Sequence, residues 1–220
     1  MDKTHIFSDF DGTITTVDSL VVVLDRFGDP EWRRFEKELK EGKCTPFETL
    51  TRETESLHAS LDDMLHLIDE EVDVREGFLE FMSLVEQKKI PFSILSGGYR
   101  TFIERVFENM GYPKLIHHVT ANDIEVDKTN FTRWKLIQNS EPKVFPDYPT
   151  CKVHPIRKAK KAGYTTLYIG DGNTDYMAAK ECDIVFARGN LAEFMKREKR
   201  AFLPFETFFD IIDFLRESDK

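Results

Sequence analysis

Residues 5–15, HIFSDFDGTIT, carry the pattern on which the reading of the chain turns. His5 to Phe10 form a short apolar run that ends in acids and is closed by Gly12, the pattern of a buried strand feeding a loop. Asp9 and Asp11 stand two residues apart where that strand ends, so one can face a site while the other sits deeper in the loop. A carboxylate can attack phosphorus and become an acyl phosphate. A neighbouring carboxylic acid can protonate a leaving alkoxide and later take a proton from water. That division of labour needs two acids in different environments. By itself, such an acidic pair serves equally well as a turn with a helix cap.

Beyond this strand the pattern changes. Segments 18–27, 31–41, 46–57 and 61–70 space their apolar residues three and four apart and are punctuated by Asp29-Pro30, Gly42 and Thr45-Pro46, which predicts a block of helices without strands. Then strands and helices alternate: helix 76–88, strand 91–96, helix 100–110, helix 152–162, strand 165–169, helix 174–181, strand 184–187, helix 191–199, a short strand near 202–203 and helix 206–216. Between them, LIHHVT, DIEV and NFTRWKL over 115–136 read as β-runs around the turn Asp127 to Asn130, and 138–150, with three prolines, as a loop. Alternating strands and helices make βαβ units and a parallel sheet, whose ligands sit beyond the carboxyl ends of the strands. The expected fold class is α/β: a Rossmann-like, doubly wound parallel sheet with an inserted helical cap. The core spans 1–14 and 76–220 and the cap 15–75.

The strand-end rule selects the other candidates. After the second apolar strand come Ser96, Gly97 and Gly98, a hydroxyl and exposed N–H groups leading into a helix, which suit an anion; alone they are an ordinary strand–turn–helix junction. Lys152 opens a helix and could neutralise phosphate oxygens, though a lone lysine is usually a solvated one. Lys158, Lys160 and Lys161 read as a solvated helix face. Gly170-Asp171-Gly172-Asn173-Thr174-Asp175 follows the strand TTLYI. Asp171 suits a hard divalent cation, and Asp175 can orient a water or Lys152 from behind. Each motif has a structural explanation of its own. All four falling in this order at predicted strand ends makes coincidence a poor one.

The bulk numbers set limits. The 220 residues suit one α/β core with a small insertion. A net charge of −9 argues against nucleic acid or an anionic membrane as the main partner. Three scattered cysteines (Cys44, Cys151, Cys182), no apolar leader and no long apolar stretch predict a thiol-reduced, cytoplasmic protein without a membrane span.

DFDGT, SGG, Lys152 and GDGNTD resemble the four motifs of the haloacid dehalogenase (HAD) superfamily of phosphatases, over nearly the whole chain. The resemblance implies Asp9 as nucleophile and Asp11 as general acid/base. It implies Mg²⁺ on Asp9, the Asp11 backbone carbonyl and Asp171, and a phosphoryl group held by Ser96 and Lys152. Thr13, Gly97, Gly98, Asp18, Arg52 and Asp175 are the further candidates for holding phosphate or substrate. The helical insertion resembles a C1 cap, which places the chain in subclass IB. Within it, SILSGGYRTFIERVFENMG and EGKCTPFETL are similar to phosphoserine phosphatases, which usually carry a cap Glu where Asp18 stands and a cap Arg to which Arg52 is nearest here. DFDGTIT with Asp18, Arg52 and IVFAR…LPFETFFDI resemble the methionine-salvage phosphatases of 2-hydroxy-3-keto-5-methylthiopentenyl-1-phosphate, the preferred subgroup. Phe27, Phe35 and Phe47 could face such a thioether substrate or simply pack the cap. The expectation is a Mg²⁺-dependent phosphomonoesterase acting on a small phosphorylated metabolite, as monomer or homodimer. The alternatives are a phosphoserine phosphatase, a phosphotransferase or mutase on the same fold, and a regulatory metal-binding protein.

Overall fold

A computed structural model describes residues 3–139, 145–148 and 150–217; part of the expected loop at 138–150 therefore lies outside the described residues. Seven strands hydrogen-bond in the order β4-β3-β2-β1-β5-β6-β7. They are β1 (Thr4–Ser8), β2 (Phe92–Tyr99), β3 (Val119–Asp127), β4 (Asn130–Ile137), β5 (Thr165–Gly170), β6 (Ile184–Ala187) and β7 (Leu203–Pro204). β1 pairs in parallel with β2 and β5, β5 with β6, and β6 with β7, while β3 and β4 form an antiparallel hairpin. The chain divides into two compact units, 1–16 with 73–95 and 152–220, and 17–72 with 96–151.

In the first unit, β1 and β5 are buried on both faces, so successive side chains serve opposite layers. Phe7, Leu95, Tyr168, Val185 and Ala187 pack with Ile156 and Ala159 of α7 (Val153–Lys161), Ala178 and Ala179 of α8 (Tyr176–Glu181), and Leu191, Phe194 and Met195 of α9 (Gly189–Arg197). An aromatic cluster joins the remaining helices of this unit. Phe78 and Phe81 of α5 (Phe78–Gln87) meet Phe208 of α10 (Phe208–Glu217) at ring separations of 5.0 and 5.1 Å, and Phe92 meets Phe81 at 5.6 Å. α5 starts at Gly77, whose φ of +81° and closeness to Phe209 (a Cβ would lie 2.9 Å from its N) admit only glycine without strain.

The second unit holds α1 (Ser19–Phe27), α2 (Arg33–Lys40), α3 (Pro46–Glu55), α4 (Leu61–Glu71), α6 (Arg100–Asn109) and the hairpin. Its helix starts follow capping chemistry. Asp18 accepts from the N–H groups of Leu20 and Val21, Thr45 and Glu48 form a reciprocal box around Pro46, and Ser60 caps α4. Asp69 of α4 accepts from Arg105 and Asn109 of α6, and Trp134 of β4 donates to the Ala59 carbonyl at 2.9 Å.

Three expectations change. Leu115 to His118 form a 3₁₀ turn (Pro113–His118) instead of the start of a strand; Leu115 is buried while its neighbours Pro113, Lys114 and His118 are exposed, which is not a strand alternation. β2 runs past its expected end at Ser96 through Gly97 and Gly98 to Tyr99, so the Ser-Gly-Gly stretch belongs to the strand, and the helix begins at Arg100 as expected. The helix expected from 174 is a 3₁₀ turn, Asn173–Asp175, followed by α8. No helix among the described residues is long and apolar enough to cross a membrane.

Candidate active site

The loop after β1 is set by its own backbone. The Asp9 N–H donates to the Ile169 carbonyl at 2.9 Å, which keeps Asp9 fastened to β5 beyond the end of β1. The Phe10 carbonyl then accepts from the N–H groups of Thr13, Ile14 and Thr15, with Phe10 and Ile14 fully buried as its anchors. The loop must pass close to Asp171. At Gly12, φ is +72° and an added Cβ would lie 2.5 Å from Asp171 Oδ2. Next to it, Thr13 Oγ1 donates to Asp171 Oδ1 at 2.6 Å.

Asp9 is buried, with 6% of its surface exposed. Its Oδ1 accepts from the Phe10 N–H at 2.7 Å and its Oδ2 pairs with Lys152 Nζ at 2.8 Å. Lys152, 5% exposed at the start of α7, also donates to Asp175 Oδ1 at 2.7 Å. The Asp175 carboxylate is saturated: Oδ1 accepts from Lys152 and from Tyr168 OH at 2.6 Å, and Oδ2 accepts from the N–H groups of Asp171 (3.1 Å) and Gly172 (2.9 Å). Gly170 allows this wrapping, since a Cβ there would lie 2.6 Å from Asp175 Oδ2.

The electrostatics follow. Burial, then the carboxylates of Asp175 and Asp171, push the Asp9 carboxyl well up, with Lys152 opposing. Burial works against the Asp175 carboxylate too, yet Lys152, the Tyr168 hydroxyl and the Gly172 N–H hold it below the usual range. Burial alone would lower the Lys152 ammonium, but Asp175 and Asp9 raise it. Asp9, Asp171 and Asp175 each offer an oxygen, all within 4.8 Å of one another. Three carboxylates around one ammonium leave an excess of negative charge made only of hard oxygen donors, which fits a divalent cation such as Mg²⁺. Each oxygen of Asp175 already meets two donors, whereas each oxygen of Asp9 meets one, so Asp9 and its neighbour Asp171 are the carboxylates that would hold it.

The second unit carries the other expected residues. Ser96 is buried, and its Oγ accepts from the Gly98 N–H at 2.9 Å. Asp18 spends its carboxylate on capping α1. Arg52 pairs with Glu38 at 2.5 Å and lies over the Phe35 ring at 4.2 Å. Phe27, Phe35 and Phe47 are half-buried, neither core nor open surface.

Three residues escaped the sequence reading. Arg75 donates to four carbonyls, those of Thr13 (2.8 Å), Gly12 (2.7 Å), Thr15 (3.0 Å) and Glu206 (3.4 Å), and so fixes the loop that carries Asp9 and Asp11. Its only local signal is its place where the helical block ends. Tyr168, read as one more apolar strand residue, orients Asp175. In the second unit, buried Asn122 donates to the Gly97 carbonyl at 2.8 Å, and Asn139 donates to Asn122 Oδ1 in turn.

Residues 6–180 match the family of haloacid dehalogenase-like hydrolases. The chain belongs to that family, as one of its phosphatases. It is 30% identical over 213 residues to a 2-hydroxy-3-keto-5-methylthiopentenyl-1-phosphate phosphatase of Bacillus cereus, covering 94% of this chain and 93% of the relative. A protein of the same name from an Exiguobacterium species is 28% identical over 227 residues, covering 97% and 98%. Among solved structures, a phospho-aspartyl intermediate analogue of phosphoserine phosphatase superposes with a TM-score of 0.70 at 20% identity, over 98% of both chains. A substrate-bound phosphoserine phosphatase gives 0.71 at 20%, over 96% of this chain and 98% of the other. At that identity the likeness concerns the fold.

Proposed function

We propose that this phosphatase is a Mg²⁺-dependent phosphomonoesterase of the cytoplasm that forms an aspartyl-phosphate on Asp9, and that its substrate is 2-hydroxy-3-keto-5-methylthiopentenyl-1-phosphate. The observation that carries the chemistry is the buried Asp9 carboxylate, oriented by the Phe10 N–H and Lys152 beside Asp171. The substrate rests on relatives of that name, 28% and 30% identical over nearly their full lengths. The helical block over 15–75 acts as the cap.

Asp9 attacks phosphorus, the bond from phosphorus to the ester oxygen breaks, and Asp11 gives its proton to the departing alcohol. Asp11, now a carboxylate, takes a proton from water; that water attacks phosphorus, the bond to the Asp9 oxygen breaks, and inorganic phosphate leaves. Lys152 neutralises charge on Asp9 and the phosphoryl oxygens, and Asp175 holds Lys152 in place. Ser96 and the N–H groups of Gly97 and Gly98 bind the phosphoryl oxygens. Thr13 holds Asp171, and Arg75 keeps the loop fixed. Asp9, the Asp11 carbonyl and Asp171 would hold Mg²⁺, which would neutralise charge between two anions.

The test is phosphate release from a panel of phosphomonoesters that includes this enol phosphate and phosphoserine. The expected result is Mg²⁺-dependent release, greatest for the enol phosphate, that falls at least ~10³-fold in Asp9→Asn. Release undiminished in Asp9→Asn would remove the mechanism, and a preference for phosphoserine would replace the substrate.

A further inference from the structure

Tyr168 puts a polar atom where the packing needs none. It lies in β5, level with Phe7 of β1 and Val185 of β6, and is wholly buried in the apolar cluster that includes residues of α7, α8 and α9. A phenylalanine would fill the same space without a hydroxyl to satisfy. The Tyr168 hydroxyl donates to Asp175 Oδ1 at 2.6 Å. Gly170 makes room for that meeting, since a Cβ there would lie 2.8 Å from Tyr168 Cε1 and 2.6 Å from Asp175 Oδ2. Burial, then the carboxylates of Asp175 and Asp9, push the Tyr168 hydroxyl well up, so it keeps its proton and remains a donor.

The same Oδ1 accepts from Lys152 at 2.7 Å, and Lys152 Nζ also lies 2.8 Å from Asp9 Oδ2. All four residues belong to the first unit. Lys152 therefore serves two anions, and the chemistry changes one of them. Once Asp9 carries a phosphoryl group, its own carboxyl is no longer an anion, and the negative charge lies on the phosphoryl oxygens. Lys152 then has to turn from the Asp9 carboxyl to those oxygens. Asp175 is the pivot of that turn only if its Oδ1 does not move with Lys152. Among the described residues, the N–H groups of Asp171 and Gly172 hold Oδ2, and Tyr168 is the donor on Oδ1 besides Lys152. Tyr168 stands on a strand paired on both sides, so it does not follow the ammonium.

We propose that Tyr168 is a positioning residue for phosphoryl transfer: its hydroxyl anchors Asp175 Oδ1, so that Lys152 passes its charge from Asp9 to the phosphoryl group while Asp175 stays in place. The inference rests on the reading of Asp9 as the nucleophile. It gives a core residue of the sheet a consequence for the rate, exerted through Asp175 and Lys152 rather than by contact with substrate.

The test is Tyr168→Phe, which removes one oxygen and keeps the ring. Asp175 Oδ1 retains Lys152 as its donor, so no buried atom is orphaned and the variant folds. With p-nitrophenyl phosphate and Mg²⁺, kcat is expected to fall ~10-fold, about the worth of one hydrogen bond to a charged group, while KM stays within ~3-fold of wild type. A packing role alone would lower the melting temperature and leave the kcat of the folded enzyme unchanged. The link through Lys152 is read by NMR of enzyme whose lysine ammonium groups carry nitrogen-15. The Lys152 signal, assigned by its loss in Lys152→Arg, should shift in Tyr168→Phe and exchange its protons with water faster. An unchanged kcat, a rise in KM alone, or a loss of kcat with the Lys152 signal unmoved would overturn the inference. Turnover undiminished in Asp9→Asn would sink the nucleophile reading and this inference with it. Turnover lost in Asp9→Asn but intact in Tyr168→Phe would sink this inference alone.

Discussion

Asp175 and Glu53 are both buried acids, yet the protein treats them in opposite ways. Asp175 sits among an ammonium, a phenol and two backbone N–H groups, and stays ionised. Glu53 faces two further acids with no donor among the described residues, and keeps its proton. Burial disfavours charge at both positions; the partners decide the outcome. In the first unit a fixed charge holds Lys152 against Asp9. In the second a buried acid stays neutral.

The largest effect expected from breaking this contrast is at Lys152. Lys152→Met leaves the carboxylates of Asp9 and Asp175 without their shared cation. It should cost about 3–5 kcal/mol of stability and about 10²–10³-fold in kcat/KM. Urea melts and phosphate release check this, and a melt within ~1 kcal/mol of wild type, the range of exposed ion pairs, would mean that the cluster is solvated.

Next comes Arg75. Arg75→Met strips donors from four carbonyls around the Asp9 loop. A loss of about 2–3 kcal/mol is expected, with kcat down about tenfold as the loop loosens. Lost stability with kcat unchanged would make Arg75 a fold residue alone.

The third effect has the opposite sign. The folded chain keeps the Glu53 proton up to about 8, whereas the unfolded chain releases it near 4.5. Folded protein therefore binds more protons between those values, and wild-type stability falls as pH rises through that window, then levels off. Glu53→Gln has no proton to lose. Its advantage over wild type should be near zero at pH 4.5 and grow to roughly 2–4 kcal/mol by pH 8.5. Parallel pH dependences for the two proteins would show that Glu53 is ionised when folded.

These residues also mark how far the sequence could be read. The sheet and the strand-end positions of Asp9 and Asp171 were legible because period, breakers and glycines are local signals, whereas β2 runs past Ser96 to Tyr99. Arg75 was not, because its partners Gly12 and Thr13 lie about sixty residues away and no periodicity encodes such a meeting. Tyr168 and Asn122 were hidden inside strand patterns, where one polar atom does not change the alternation. Glu53, beside Arg52 on a charged helix, looks like half of a solvated pair. Only the turn of α3 buries it and gives Arg52 to Glu38. The run Leu115 to His118 misled through its β-prone composition and folded as a 3₁₀ turn.

The central claim is that Asp9 carries the phosphoryl group, and trapping that species tests it most directly. The enzyme is mixed with substrate and Mg²⁺, quenched in acid within milliseconds, and digested for mass spectrometry. The account predicts one phosphoryl group on the peptide that contains Asp9, removable by hydroxylamine and missing in Asp9→Asn. A phosphoryl group on another residue, or turnover that never labels the chain, would contradict it.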